Sequence, residues 1–354
     1  MNVLFHRRFY RSVRLTVSGM CFLFGANLIV ASYSWAELPW DTMAYTNFNA
    51  MQAVNADGSP AWTIPTWGVD EEQGYKLRGV VLNYAKDLLD LTPNYIPSDP
   101  GTLWQLGAQW QLFIQATNVS DFGGAALWMG QNYGNHIWHW NPDGSSSTYS
   151  YTNTEWMDEL ARLTLNNTLL PGDLIEIRAR GGLFYQGKFN VNEQHDNDPV
   201  FDFDIQLISH ETLPDPILIS IADLKNPDDT FKFVQDRLSG AEHYQATRVR
   251  LEDVSLVSTA GWGPDATLTI TDGTHTLPMK LGLNGFDLVS APTSPFDVVG
   301  IFDQEGNPYN TGYRLWVTDA SQFSAIPEPS LTILLSAMFL CLSVWKLRKN
   351  HSTD

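Results

Sequence analysis

Pro171-Gly172-Asp173-Leu174-Ile175-Glu176-Ile177 and Pro295-Phe296-Asp297-Val298-Val299-Gly300-Ile301 are two versions of one stretch, and their reading decides the fold. Asp173 to Ala179 alternates as a half-buried strand, and the second stretch follows the same course. Each is followed by a glycine-containing turn and an aromatic strand, Phe184 to Asn190 in one case and Tyr313 to Val317 in the other. Each is also preceded by three strands. In the first unit these are Leu77 to Leu82, Trp110 to Ala116 with partial alternation, and Ala125 to Met129 after the Gly123-Gly124 turn. In the second they are Tyr244 to Val257, Ala266 to Thr271 and Thr276 to Leu281, with Asp272-Gly273 as a hairpin turn between the last two. Between third and fourth strands the first unit has a helix. Thr152-Asn153-Thr154-Glu155 has capping-box spacing, and Trp156, Leu160 and Leu163 recur at i, i+4, i+7.

Three strands, a linking element and two more strands is the order of a five-stranded OB-type barrel. The chain is similar to two OB-fold repeats over roughly 230 residues. The expected fold class is therefore mainly all-β: two OB-like five-stranded barrels, the first with one inserted helix. A two-layer β-sandwich is the alternative arrangement of the same strands. The expected order is a signal peptide (1–36), an extended N-terminal arm without a helix of its own (37–70), a first β-domain (71–211) closed by a strand from Phe201 to Ile208, a stiff linker around Pro214 and Pro216 (212–222), a second β-domain (223–322) and a tail (326–354).

The ends carry the address. Arg7, Arg8, Arg11 and Arg14 precede a mostly apolar run, Leu15 to Val30, and Ser34-Trp35-Ala36 gives a small-x-small cleavage pattern, which together read as an export signal. At the other end Pro327-Glu328-Pro329 stands before an apolar helix over 331–347 and the basic residues Lys346, Arg348 and Lys349. That helix would rise roughly 25 Å, somewhat short of the ~30 Å hydrocarbon core, and the basic cluster places its far end on the cytoplasmic side. The three-part pattern resembles the PEP-CTERM sorting signal of Gram-negative bacteria that make extracellular polysaccharide, with Ile326 where valine is common. The resemblance implies an exosortase-type processing enzyme as partner, an inner-membrane intermediate, removal of the tail, and then release or attachment at the cell surface.

Both cysteines, Cys21 and Cys341, lie in these end segments, so residues 37–325 contain no disulfide, thiolate metal site or cysteine nucleophile. Of 21 Lys and Arg in the chain seven lie outside residues 37–325, and of 39 Asp and Glu two do, leaving 14 against 37 and a net charge of −23. Such a charge keeps a protein soluble and opposes sequence-independent binding to a phosphate backbone.

The aromatic loop His136-Ile137-Trp138-His139-Trp140 lies near where OB folds hold extended chains, so Tyr133, Trp138 and Trp140 are the candidate ligand-binding residues for an oligosaccharide or another protein; capping the open barrel end is the structural reading of the same indoles. His136 and His139 have no evident third metal ligand. Asp196, Asp198 and Asp202 form a candidate Ca²⁺ cluster, although their spacing is not that of an EF-hand and Asx turns account for it equally. No nucleophile elbow, zinc helix or phosphate-cradling loop occurs, and His243 and His275 have no serine partner. No catalytic residue and no cofactor is therefore assigned. The expected function is that of an exported, non-enzymatic ligand-binding or structural protein of the exopolysaccharide layer. The alternatives are a secreted hydrolase of matrix polymers and an extracellular single-strand binder, the latter disfavoured by charge.

Overall fold

Six of the expected strands begin and end within one residue of where the pattern puts them, and their pairing defines two β-units. The computed structural model describes residues 40–62, 74–90, 92–93, 108–118, 120–131, 139–140, 146–147, 151–179, 181–192 and 203–325. The expected export signal and sorting tail lie outside these residues, as do Tyr133, Trp138, Asp196, Asp198 and Asp202. Among the described residues no helix is long and apolar enough to cross a membrane.

The first unit contains β1 (Tyr75–Val81), β2 (Gln109–Gln115), β3 (Gly124–Gly130), β4 (His139–Trp140), β5 (Ser146–Ser147), β6 (Asp173–Ala179), β7 (Leu183–Tyr185), β8 (Lys188–Asn192) and β9 (Asp204–His210). The second contains β10 (Ile217–Leu218), β11 (Thr247–Leu256), β12 (Thr267–Thr271), β13 (Thr276–Leu281), β14 (Phe296–Gln304), β15 (Tyr313–Val317) and β16 (Phe323–Ala325). In the second unit β11, β12, β13, β15 and β14 follow one another round a ring that the β11–β14 pairing closes. Only β13 and β15 run parallel in that ring. A closed five-stranded barrel with this order is OB-fold-like, and it rules out the sandwich for this unit.

The first unit repeats the order, with β3 and β8 as the parallel pair, yet differs from the expected barrel in that no β6–β8 pairing closes it among the described residues. Both edges that would close it are taken: β6 pairs with β9 and β8 pairs with β7. The inserted helix forms as expected. In α2 (Asn153–Leu163), the Glu155 N–H donates to Thr152 Oγ1 at 3.2 Å and the Thr152 N–H to Glu155 Oε2 at 2.8 Å, and Trp156, Leu160 and Leu163 are buried.

The N-terminal arm is not wholly extended. It makes one helical turn, α1 (Phe48–Met51), because the Asp121 carboxylate accepts from the N–H groups of Phe48 and Asn49 at 3.1 and 2.9 Å. Phe48 and Met51 enter the first core, and Gln52 bonds to Gly124 O, Phe189 O and Phe189 N, joining the arm to β3 and β8. The expected linker also contributes structure, since β10 pairs with β11 there.

Each unit has its own apolar core. A third cluster, with Leu82, Leu88, Phe113 and Ala126 on one side and Ala246, Ile301 and Trp316 on the other, joins them. Phe113 and Trp316 meet edge to face with centroids 5.8 Å apart. Gly124 is required here: a Cβ on it would lie 2.0 Å from Ile114 O and 2.7 Å from Ala246 O.

Candidate functional site

β2 is buried on both faces, which is why its sequence alternates only in part. Trp110, Leu112 and Ile114 enter the first core, while Gln111 and Phe113 face the second unit. β3 does likewise, with Leu127 and Met129 in the core and Ala126 at the junction. Where this junction runs out, the outer faces part to form a cleft of about 470 Å³. That lies within the ~300–1,000 Å³ usual for small-molecule sites.

One wall comes from the first unit: Gln109 and Gln111 on β2, Trp128 on β3, and Leu88, Leu89 and Asp90 after the 3-10 turn Ala85–Leu88. The opposite wall is Asp265, Lys280, Leu283, Asn284 and Trp316. Lys280 and Trp316 are register partners on β13 and β15, and the ammonium lies 5.1 Å from the indole centroid. The Arg314 guanidinium lies 4.7 Å from the same ring. Lys280 Nζ is also 2.9 Å from Asp265 Oδ1, so its charge is matched within the wall.

The walls are tied at the cleft floor. The Leu283 N–H donates to Asp87 O at 3.0 Å, and Asn284 Nδ2 donates to Lys86 O and Leu89 O at 2.7 and 2.9 Å. Behind them the Asp87 carboxyl is pushed up to about 6 by burial, which the Tyr84 N–H opposes. These bonds make the cleft a preformed feature of the two-unit body.

The residues singled out by sequence are placed elsewhere or lie outside the described set. Of the aromatic loop only the backbone of His139 and Trp140 is described, paired with Ser147 and Ser146. The base of that loop is clamped, since Gln131 O accepts from the Tyr151 N–H at 3.0 Å, and Gln131 stands three positions beyond Trp128. His243 and His275 have local partners: their Nδ1 atoms lie 2.8 Å from Arg237 O and 3.0 Å from Asp229 Oδ1. Among the described residues no group of three or more His, Cys, Asp or Glu is placed to hold a metal ion. Trp128 and Trp316 are legible in principle, as indoles at the outward register of strands whose alternate residues are aliphatic.

Fold and site together define a two-unit β-protein with a cleft between its units. No family model and no curated protein matches the chain. Among solved structures it is similar to a murine DNA-binding protein bound to double-stranded DNA, at 12% identity over 68% of this chain and 92% of that one, with a TM-score of 0.27. A structure described as structural mimicry for functional antagonism matches at 10% identity over 68% and 87%, TM-score 0.27. The single-stranded DNA-binding protein from Thermus aquaticus matches at 12% identity over 73% and 94%, TM-score 0.16. TM-scores this low leave fold and function to be argued from this chain's own strand order and cleft.

Proposed function

We propose that this is an exported, non-catalytic binding protein of the cell surface or extracellular matrix, built from two OB-like units and holding its ligand in the cleft between them. The cleft is the observation that carries this reading: a preformed space with an indole on each wall and amides and carboxylates around them. The export signal and the PEP-CTERM-like tail support the location, with an exosortase-type enzyme as processing partner and an exopolysaccharide layer as destination. The non-catalytic reading rests on the sequence, which has no nucleophile elbow, zinc helix or phosphate-cradling loop. Among the described residues burial raises Glu242 to about 7, enclosed in the second unit, and Asp87 to about 6, behind the cleft floor and bonded by the Tyr84 N–H. A closed five-stranded barrel also suits single-stranded nucleic acid, but the net −23 over residues 37–325 opposes it.

The full-length protein incubated with bacterial extracellular polysaccharide tests the reading through two signals, retention on the polymer and release of reducing ends. Retention without release, lost in Trp128→Ala, is the expected result. Release of reducing ends would establish the hydrolase instead.

A further inference from the structure

Across the β2–β3 ladder Trp128 stands opposite Gln111, and Gly130 stands opposite Gln109. A Cβ on Gly130 would lie 2.7 Å from Cη2 and 3.0 Å from Cζ2 of Trp128, so the indole lies over the bare Cα of that glycine. Gln109 and Gln111 thus flank the ring, since opposed residues on one face of a ladder have Cβ atoms about 4.5–5.5 Å apart. Gln111 is only 9% exposed, and no described residue takes its side-chain amide or that of Gln109. Neither amide is sealed in the protein, so a group entering from the cleft meets two amide NH2 donors and two carbonyl acceptors.

The charges narrow the class. The cleft holds the carboxylates of Asp90 and Asp265 against the single ammonium of Lys280, which Asp265 already matches. A polyanion meets net negative charge there, and a hydrocarbon leaves both glutamines unpaired. A pyranose ring offers an apolar face of C–H groups for the indole and hydroxyls that donate and accept at its rim. We propose that the cleft takes a neutral saccharide, stacked on Trp128 and hydrogen-bonded by Gln109 and Gln111, with Gly130 setting the depth at which the ring sits. This rests on the reading of the cleft as the binding site.

Calorimetric titration of the full-length protein with gluco-, manno- and galacto-oligosaccharides, oligogalacturonate, chitosan oligomers and oligo-dT tests it. At least one neutral series is expected to bind, with affinity unchanged between about 0.05 and 0.5 M salt. Trp128→Ala is expected to weaken that binding roughly tenfold or more. Gln111→Leu, which fills the same space without an amide, is expected to weaken it as well, and Gly130→Ala to shift it by displacing the indole. Preference for oligogalacturonate, chitosan or oligo-dT that still depends on Trp128 would overturn the neutral class and leave the cleft as the site. Neutral binding undiminished in both the Trp128 and Gln111 variants would overturn the cleft itself. No binding to any probe would overturn both.

Discussion

Glu242 is fully buried, with the Tyr313 hydroxyl donating to Oε1 and Arg237 Nε 4.0 Å from Oε2. Burial raises its carboxyl to about 7, against the opposing pull of the Tyr313 hydrogen bond and the Arg237 charge. Burial also pushes Arg237 down to about 10, which leaves it cationic at neutral pH. A folded-state value above the unfolded one favours the protonated carboxyl in the fold. The stability it contributes is complete below the ordinary value of 4.5 and is lost as pH rises through about 7. Asp87, raised to about 6, acts in the same direction over a lower window. Stability is therefore expected to fall between about pH 4 and 7 and then level off, by a few kcal/mol, with the melting temperature falling alongside. Glu242→Gln should remove most of that slope, leaving the part due to Asp87; an unaltered slope in the variant would show that Glu242 does not titrate in this range. Sequence draws the eye to His243 instead, whose ring is held by Arg237 O and lies 4.6 Å from Phe122. What perturbs Glu242 comes partly from Tyr313, far along the chain, so its burial leaves no local mark.

Two helices with different caps show which elements a sequence reveals. In α2 the cap and the apolar stripe are local, Thr152 with Glu155 and then Trp156, Leu160 and Leu163, so the helix is legible from the order of its residues alone. In α1 the cap is Asp121, from the loop before β3, and Asn47 makes no side-chain cap bond of its own. Nothing within the arm announces that turn. Asp121→Ala leaves two N–H groups of α1 without their carboxylate and should cost about 1–2 kcal/mol in chemical denaturation. A loss under ~0.3 kcal/mol would mean that Phe48 and Met51 hold the turn by packing alone. Strand order follows the same rule. The recurring stretch beginning at Pro171 and Pro295 is enough to place β6 and β14 as matching strands, which pair with β1 and β11 in turn. Closure is not legible, because it depends on which edges β7 and β9 occupy. The cleft escapes a reading of the sequence for a related reason: each wall is an ordinary outward-facing register, and only docking of the units brings Trp128 toward Trp316.

At the scale of the whole molecule, the two units are joined by apolar contact and by an ion cluster. Lys188 of β8 reaches Asp303 of β14 at 2.5 Å and Glu305 at 3.3 Å. Arg314 reaches the same carboxylates at 2.7 and 2.9 Å. Asp303 is 1% exposed. Burial alone would raise its carboxyl, but Lys188 and Arg314 outweigh that and hold it below the usual carboxylate range. A depressed value contributes stability that is present above the ordinary value of 3.8 and lost as pH falls below it, so the junction weakens in acid. Asp303→Ala leaves two buried cations to share Glu305, and removing one partner from a buried ion network typically costs about 3–5 kcal/mol. Because Lys188 belongs to the first unit and Asp303 to the second, that loss falls on the contact between them. The expected result in calorimetry is a lowered first transition that separates from a second, as the units cease to unfold together. Saccharide binding should weaken alongside, since the cleft exists only while the walls stay docked. A single transition shifted by less than ~1 kcal/mol would place the coupling in the Phe113–Trp316 cluster instead.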